Sequence, residues 1–276
     1  AVVWQSDGAL AFALHIEQAE AEYLTGRLEE AERSYAQLLQ RAADPLDRID
    51  VYMLIITQFE TTSRYADAIR AGREGLRLLG IELPEGGADL HAAVEAELSA
   101  IRECLGERPI ASVVDLPRIT DRRARQTLKL LMSLWAPAYI SGQVELADLA
   151  PARMVRLSLE NGNSEESAFG YGMHATTAGW RLGEYERAYE FGRLAIALNQ
   201  RLDDYRLRAV ILHRFAALTN PWRMPFATSL PIAQEAVRVA LESGSPLVAG
   251  YAQFQQTWYG MQLEPELQGF LEKYEP

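Results

Sequence analysis

Cysteine is almost absent from this chain of 276 residues, which contains only Cys104. One cysteine allows no internal disulfide bond, and one thiolate cannot build a cysteine-based structural zinc site. Free thiols persist in reducing compartments, so we expect a cytoplasmic protein without disulfide bonds.

Basic residues are also scarce: 27 lysines and arginines stand against 38 aspartates and glutamates, and the net charge is −11. Nucleic acids and anionic membranes bind surfaces on which lysine and arginine cluster, so we expect neither as a partner. The longest mainly apolar stretch, 128–140, already contains Lys129 and is too short to cross a bilayer.

The N-terminal sequence AVVWQSDGAL lacks the basic and apolar regions of a signal peptide. It also does not begin with methionine. We therefore expect the chain to be a piece of a longer protein.

Motifs for common catalytic chemistry are missing. The sequence contains no phosphate-binding G-x-x-x-x-G-K-[ST], no zinc-binding H-E-x-x-H and no G-x-S-x-G nucleophile turn. Asp203 and Asp204 form the only aspartate pair, but Leu207 stands where the DDxxD motif of diphosphate-binding helical enzymes needs a third aspartate. We interpret the pair as a helix N-terminus, which the macrodipole favours. We expect no catalytic residue, no cofactor and no metal in this chain.

A repeated frame of small and apolar residues is the strongest pattern present. In each copy a turn residue is followed by mostly small residues at positions +5, +9 and +12. The copies are Gly26/Ala31/Tyr35/Leu38, Ser63/Ala68/Gly72/Gly75 and Gly183/Ala188/Gly192/Ala195, and a further copy keeps Gly142/Ala147 but departs from the frame at Pro151 and Met154. The turn residues are 37, 79 and 41 positions apart, which is one or two slightly stretched tetratricopeptide periods.

We therefore predict an all-α fold, a tetratricopeptide-like superhelical array of antiparallel helix pairs with about 12–13 helices. Small residues at the frame positions should let neighbouring helices approach closely. The predicted helices lie near 7–25, 28–43, 47–62, 65–79, 88–104, 120–141, 143–161, 164–181, 184–202, 204–219, 226–243, 246–261 and 264–274. The β-branched run 51–59 is assigned to a buried helix, and Pro137 and Pro151 should each lie at a kink or in a first or last turn.

The segment 107–119 fits no repeat. We predict that it is an irregular linker between two helical-repeat sub-arrays, 1–106 and 120–276, which together form one continuous solenoid. Thr120 is the expected N-cap of the helix that follows.

Candidate partner-binding residues follow from the repeat. In tetratricopeptide-like arrays the first helix of each pair lines the concave face, so groove positions can be counted back from the turn glycine. This gives Met132 and Tyr139 before Gly142, and Met173, Thr177 and Trp180 before Gly183. We predict that Tyr139, Met173 and Trp180 face one shared groove, with His174 and His213 at its edge. The alternative is that the aromatic side chains only pack between helices.

Two further groups allow two interpretations each. His174 and His213 lie 39 residues apart, so they would occupy equivalent repeat positions and either bind an anion and respond to pH, or be ordinary surface histidines, which we favour. The basic group Arg122, Arg123 and Arg125 either docks an acidic segment or, as we favour, pairs locally with Asp121 and nearby glutamates.

Several strings resemble one family. These are LAFALHIEQAEAEYLTGRLEEAE, RYADAIRAGREGLRLLGIELPE, LPRITDRRARQTLKLLMSLWAPAYISG, RLSLENGNSEESAFGYG and EYERAYEFGRLAIAL. They resemble the helical region of large multidomain bacterial signalling proteins, which join a serine/threonine-kinase-like domain, an AAA-type signal-transduction ATPase, tetratricopeptide-like repeats, a GAF domain and often a histidine kinase. The string at 162–172, GNSEESAFGYG, is the most specific. Pro151 and Ser63 depart from the family pattern.

The resemblance implies a non-catalytic regulatory or protein-interaction module rather than an enzyme. Its partners would be the flanking ATPase or kinase domains, or another protein or peptide. A second possibility is a small-molecule sensor, similar to the inducer-binding helical region of maltose-type transcription activators, and a third is an all-helical enzyme. A closed apolar pocket would favour the sensor, and an open surface with tyrosine, tryptophan and arginine would favour the module.

Overall fold

The computed structural model describes residues 7–42, 44–264, 266, 268 and 269. This part of the chain forms twelve α-helices and no β-strand, so the all-α prediction is confirmed. The helices are α1 (Gly8–Leu24), α2 (Leu28–Arg41), α3 (Pro45–Thr61), α4 (Tyr65–Leu78), α5 (Gly87–Leu105), α6 (Arg122–Ile140), α7 (Val144–Asn161), α8 (Glu165–Trp180), α9 (Tyr185–Leu202), α10 (Tyr205–Arg214), α11 (Phe226–Glu242) and α12 (Pro246–Leu263). A π turn (Phe215–Thr219) and two 3-10 turns (Ile110–Asp115 and Asn220–Trp222) complete the element order. The predicted helix at 264–274 lies largely outside the described residues.

Aspartate side chains begin several of these helices. Asp44 accepts the N–H of Leu46, and Asp204 accepts the N–H of Arg206 at 3.0 Å, so the aspartate pair does mark a helix N-terminus. The prediction that Thr120 caps α6 is wrong. Asp121 is the cap, because its carboxylate reaches two free N–H groups of the first turn, each at 3.1 Å.

Short turns of one geometry follow α1, α3, α6 and α11, whereas the turn at Gly183 is one residue longer, with the N–H of Glu184 donating to the carbonyl of Ala178. At Gly26 the N–H of the next residue, Arg27, donates to the carbonyl of Glu22, and the N–H of Gly26 donates to the carbonyl of Tyr23, both at 2.9 Å. This pair of bonds is the Schellman motif, which requires a residue in the left-handed region. The predicted turn residues Gly26, Ser63, Gly142 and Gly183 have φ angles of 78°, 60°, 77° and 69°, and Gly244, which the frame did not include, has 71°.

The frame positions after each turn are buried in all four copies. At two of them a side chain of a neighbouring element fills the space that a Cβ would need. A Cβ on Gly72 would lie 2.3 Å from Leu134, and a Cβ on Gly192 would lie 2.5 Å from the ring of Phe215. The predicted role of small residues in close helix packing is confirmed at these positions.

The chain divides into two compact units. The first is formed by Ala1–Glu95 with Asp121–Ala150, and the second by Ala96–Thr120 with Pro151–Pro276. These units do not run along the predicted boundaries at 106 and 120, because each takes in two separate stretches of the chain. The predicted division into sub-arrays 1–106 and 120–276 of one continuous solenoid stays a prediction.

In the first unit, α1, α2 and α3 share an apolar core of Ala19, Ala31, Tyr35, Leu38 and Val51. The basic group at the start of α6 is held within this unit. Arg122 lies 3.4 Å from the carboxylate of Asp44, and Arg123 donates to the carbonyl of Leu79 at 2.6 Å. Arg122 and Arg123 therefore bond residues at the start of α3 and the end of α4, not the neighbouring Asp121 and glutamates that the sequence favoured.

In the second unit, α10, α11 and α12 share a core made mainly of alanines: Ala209, Leu212, Ala236, Val239, Ala240, Ala249 and Ala252. Buried Glu97 adds a paired charge, since its two oxygens each lie 2.6 Å from an arginine, Arg153 or Arg156.

Pro137 lies in the last turn of α6, as predicted. Pro151 lies in the interior of α7, not in its first or last turn. Of the three arrangements predicted for it, only the kink is therefore still possible.

Candidate interaction surface

An exposed cluster of three aromatic rings lies in the second unit. Trp180 ends α8, Tyr185 begins α9, and Trp222 lies in the 3-10 turn between α10 and α11. The ring of Trp222 stacks on Tyr185 with centroids 5.5 Å apart, and it meets Trp180 edge-on at 6.4 Å. Trp180 and Trp222 remain 56% and 52% exposed. We call these three side chains the aromatic cluster.

Local structure fixes the position of each ring. Helices α8 and α9 are in van der Waals contact near this end, where a Cβ on Gly179 would lie 3.4 Å from that of Ala188, and a short turn joins Trp180 to Tyr185. The indole N–H of Trp180 donates to the carbonyl of Leu218 in the π turn, at 3.2 Å. The polar part of this side chain is therefore already bonded, and its apolar faces remain accessible.

The loop that carries Trp222 is held in place by the hydrogen bonds of a buried asparagine. Asn220 is buried, and its side-chain amide donates to the hydroxyl groups of Thr228 and Ser229, both at 2.8 Å. Beside the rings, exposed Arg223 lies 2.6 Å from Glu186 and forms an ion pair with it. The predicted helices 204–219 and 226–243 leave this segment as a loop, but nothing in the sequence brings Trp222 to Trp180, because the two residues are far apart along the chain.

Only two of the seven predicted groove residues are exposed. Tyr139 is 50% exposed in the first unit and stacks on Trp135 with centroids 5.1 Å apart, while Met132 is half-buried. In the second unit Trp180 is exposed, whereas Met173, Thr177, His174 and His213 are buried. Whether any of these residues binds a partner stays a prediction.

The two histidines are core residues rather than surface residues, which corrects both interpretations made from the sequence. The ring of His174 meets Phe191 edge-on at 4.8 Å, and the ring of His213 stacks on Tyr251 at 6.2 Å. The pKa of each histidine is lowered to about 4, mainly by burial. A nearby arginine lowers the pKa in the same direction in each case: Arg187 acts on His174, and Arg214 acts on His213. Both rings are therefore neutral near pH 7.

The string GNSEESAFGYG holds the irregular segment in place. Asn163 accepts the hydroxyl of Tyr171 and donates its amide to the carbonyl of Val113, at 2.9 and 2.8 Å. Its backbone bonds Pro117 and Ile119 in an isolated parallel bridge. The string that is most specific to the resemblance thus has a structural explanation, and segment 107–119 packs within the second unit through it.

Two cavities in the first unit bear on the sensor alternative. An apolar one between α2 and α3, beside Tyr35 and Phe59, has a volume of about 160 Å³, below the 300–1,000 Å³ that is typical of ligand pockets. A groove of about 700 Å³ along α4 is lined by Arg70, Arg73 and Arg77. These arginines are engaged within the chain, with Arg73 donating to the carbonyls of Leu83 and Pro84.

Among the described residues, no three His, Cys, Asp or Glu side chains lie close enough together to hold a metal ion. None of the helices in that part of the chain is both long and apolar enough to cross a bilayer. Comparison of the chain with protein-family models and with curated proteins finds no match.

Proposed function

We propose that this chain is a non-catalytic regulatory and protein-interaction module of a cytoplasmic, multidomain bacterial signal-transduction ATPase or kinase. We further propose that its helix pairs form a tetratricopeptide-like superhelical array. The observation that carries the proposal is the exposed aromatic cluster of Trp180, Tyr185 and Trp222, held in a fixed geometry on an all-helical scaffold.

Rigid exposed aromatic side chains are the usual centres of protein interfaces. Tryptophan and tyrosine contribute large contact areas with few rotatable bonds, so their ordering on binding is inexpensive in entropy. Because Trp180 already bonds its indole N–H within the chain, a partner need supply only apolar or cationic groups to the ring faces. The chemistry favours an aliphatic or arginine side chain from a flanking domain or a docked peptide.

A small-molecule sensor remains the second candidate, and the groove along α4 is the feature that would serve it. We rank it lower because arginines already bonded to carbonyls or carboxylates must lose those bonds before they bind a ligand.

The first test is the coding sequence on either side of this chain. A phosphate-binding Walker motif encoded upstream of Ala1 would support the proposal, and flanking domains unrelated to ATPases or kinases would contradict it. The flanking domain so identified then serves as the titrant in binding measurements.

Trp180→Ala should weaken binding of that domain by about 1 kcal/mol or more, because it removes one of the anchoring rings. Leu24→Ala is the matched control, since Leu24 is 72% exposed but lies in the first unit. Isothermal titration calorimetry with both variants, after circular dichroism has shown unchanged folding, measures the difference. Equal affinity of Trp180→Ala and the unmodified chain would refute the role of the cluster.

A further inference from the structure

Helix α12 exposes a continuous apolar face. Its buried side carries Ala249, Ala252 and Tyr259, which pack within the second unit. The opposite side repeats large apolar side chains at alternating intervals of four and three residues, the spacing of a coiled-coil seam. These residues, Leu247, Tyr251, Phe254, Trp258 and Met261, are each between 40% and 69% exposed. We call them the α12 seam.

The same helix carries no charge. None of its 18 residues is Asp, Glu, Lys, Arg or His, although the chain as a whole has a net charge of −11. Charged residues are depleted at the centres of protein interfaces, and aromatic residues and methionine are enriched there. A neutral seam is also the kind of surface at which two equally acidic chains can meet without direct repulsion.

The size of the seam suits a small symmetric interface. With aromatic side chains of ~150–250 Å² each about half exposed, and two aliphatic ones, the seam offers roughly 500 Å² per copy. Two copies would bury about 1,000 Å² in total, the lower limit for a specific interface. An interface of this size is compatible with a reversible dimer.

We propose that the α12 seam binds the α12 seam of a second copy of this chain, forming a closed twofold dimer. The interaction is isologous, because each copy contributes the same residues, so assembly stops at two. Since the contact is apolar and the remaining surfaces repel each other, added salt should strengthen it by screening that repulsion. An interface built on ion pairs would respond in the opposite way.

The test is sedimentation equilibrium of the 1–276 chain over a range of concentrations and salt. We expect a reversible monomer–dimer equilibrium with a dissociation constant that falls as salt rises. Phe254→Glu places a charge at the centre of the seam and should raise the dissociation constant more than about 30-fold. Leu247→Glu, at a second exposed position, should act in the same direction, so the test does not depend on one variant.

Leu14→Glu is the matched control, because Leu14 is 56% exposed on α1 and lies outside the seam. It should leave the dimer unchanged. A chain that stays monomeric at all concentrations would overturn the proposal, as would a dimer that both seam variants leave intact. Assemblies larger than two, or a dimer lost in Leu14→Glu, would instead indicate a head-to-tail contact and contradict the twofold arrangement.

Discussion

At the scale of single residues, His174 and Trp180 show that sequence periodicity predicts positions on a helix but not their burial. Counting back from a turn glycine identifies helix positions but not which of them a neighbouring helix covers. At Gly172 a Cβ would lie 3.6 Å from that of Ala195, and this close approach lets Phe191 cover the ring of His174. Trp180 lies at the end of α8, beyond the covered stretch. Exposure therefore depended on contacts that one sequence does not reveal.

The buried histidines predict an acid-sensitive stability. Their folded-state pKa of about 4 lies below the ordinary value of 6.5, so the unfolded chain binds more protons between these values. The free energy of unfolding should therefore fall as pH falls from 6.5 towards 4, by roughly 2–3 kcal/mol for each histidine. Urea unfolding at a series of pH values measures the slope.

His174→Phe removes one of the two titrating groups and should flatten the pH dependence in that window. Exposed His91 offers the control, and His91→Gln should keep the slope of the unmodified chain. If His174→Phe and the unmodified chain lose stability in parallel from pH 6.5 to 4, the burial account of His174 is wrong.

At the scale of elements, turns could be predicted because their chemistry is local, whereas the cap of α6 was assigned to Thr120 instead of Asp121. Turn residues were expected at Gly26, Ser63, Gly142 and Gly183, and all four have the positive φ of a left-handed turn residue. The segment 107–119 could not be placed, because its position depends on contacts with residues some fifty positions later in the chain, such as Val113 with Asn163. A string that looked family-specific proved to be the residues that hold this segment.

Gly162 is the tightest point of that contact and supplies a prediction. Its φ is +104°, and a Cβ there would lie 2.4 Å from the carbonyl oxygen of Pro117. Gly162→Ala should lower the free energy of unfolding by about 3–5 kcal/mol, since it combines backbone strain with a clash against backbone. Chemical denaturation measures this loss.

Gly142→Ala separates the two causes. Gly142 has a similarly left-handed φ of +77° but open space around its missing Cβ, so only the strain of about 1–2 kcal/mol should appear. Similar losses in the two variants would mean that the segment is not held against Gly162.

At the scale of the whole molecule, composition and surface chemistry say more than any motif. The acidic balance argues against nucleic acid as a partner, and the aromatic cluster and the α12 seam each bring several exposed apolar side chains together. The sequence predicted Trp180 as a binding residue but missed Tyr185 and Trp222, because Trp222, which contacts both other rings, lies about forty positions further along the chain. The lack of charge in α12 was readable from the sequence, but its exposure was not.

The central claim is that the aromatic cluster binds another domain of the same longer protein. Site-specific photo-crosslinking tests this most directly, with a benzophenone amino acid at Trp222 in the longer protein and, as control, at Glu29, whose side chain is 91% exposed in the first unit. The account predicts that irradiation joins position 222 to a flanking ATPase or kinase domain, identified by mass spectrometry, while position 29 gives no such adduct. Absence of that adduct at position 222, or equal yields at both positions, would contradict it.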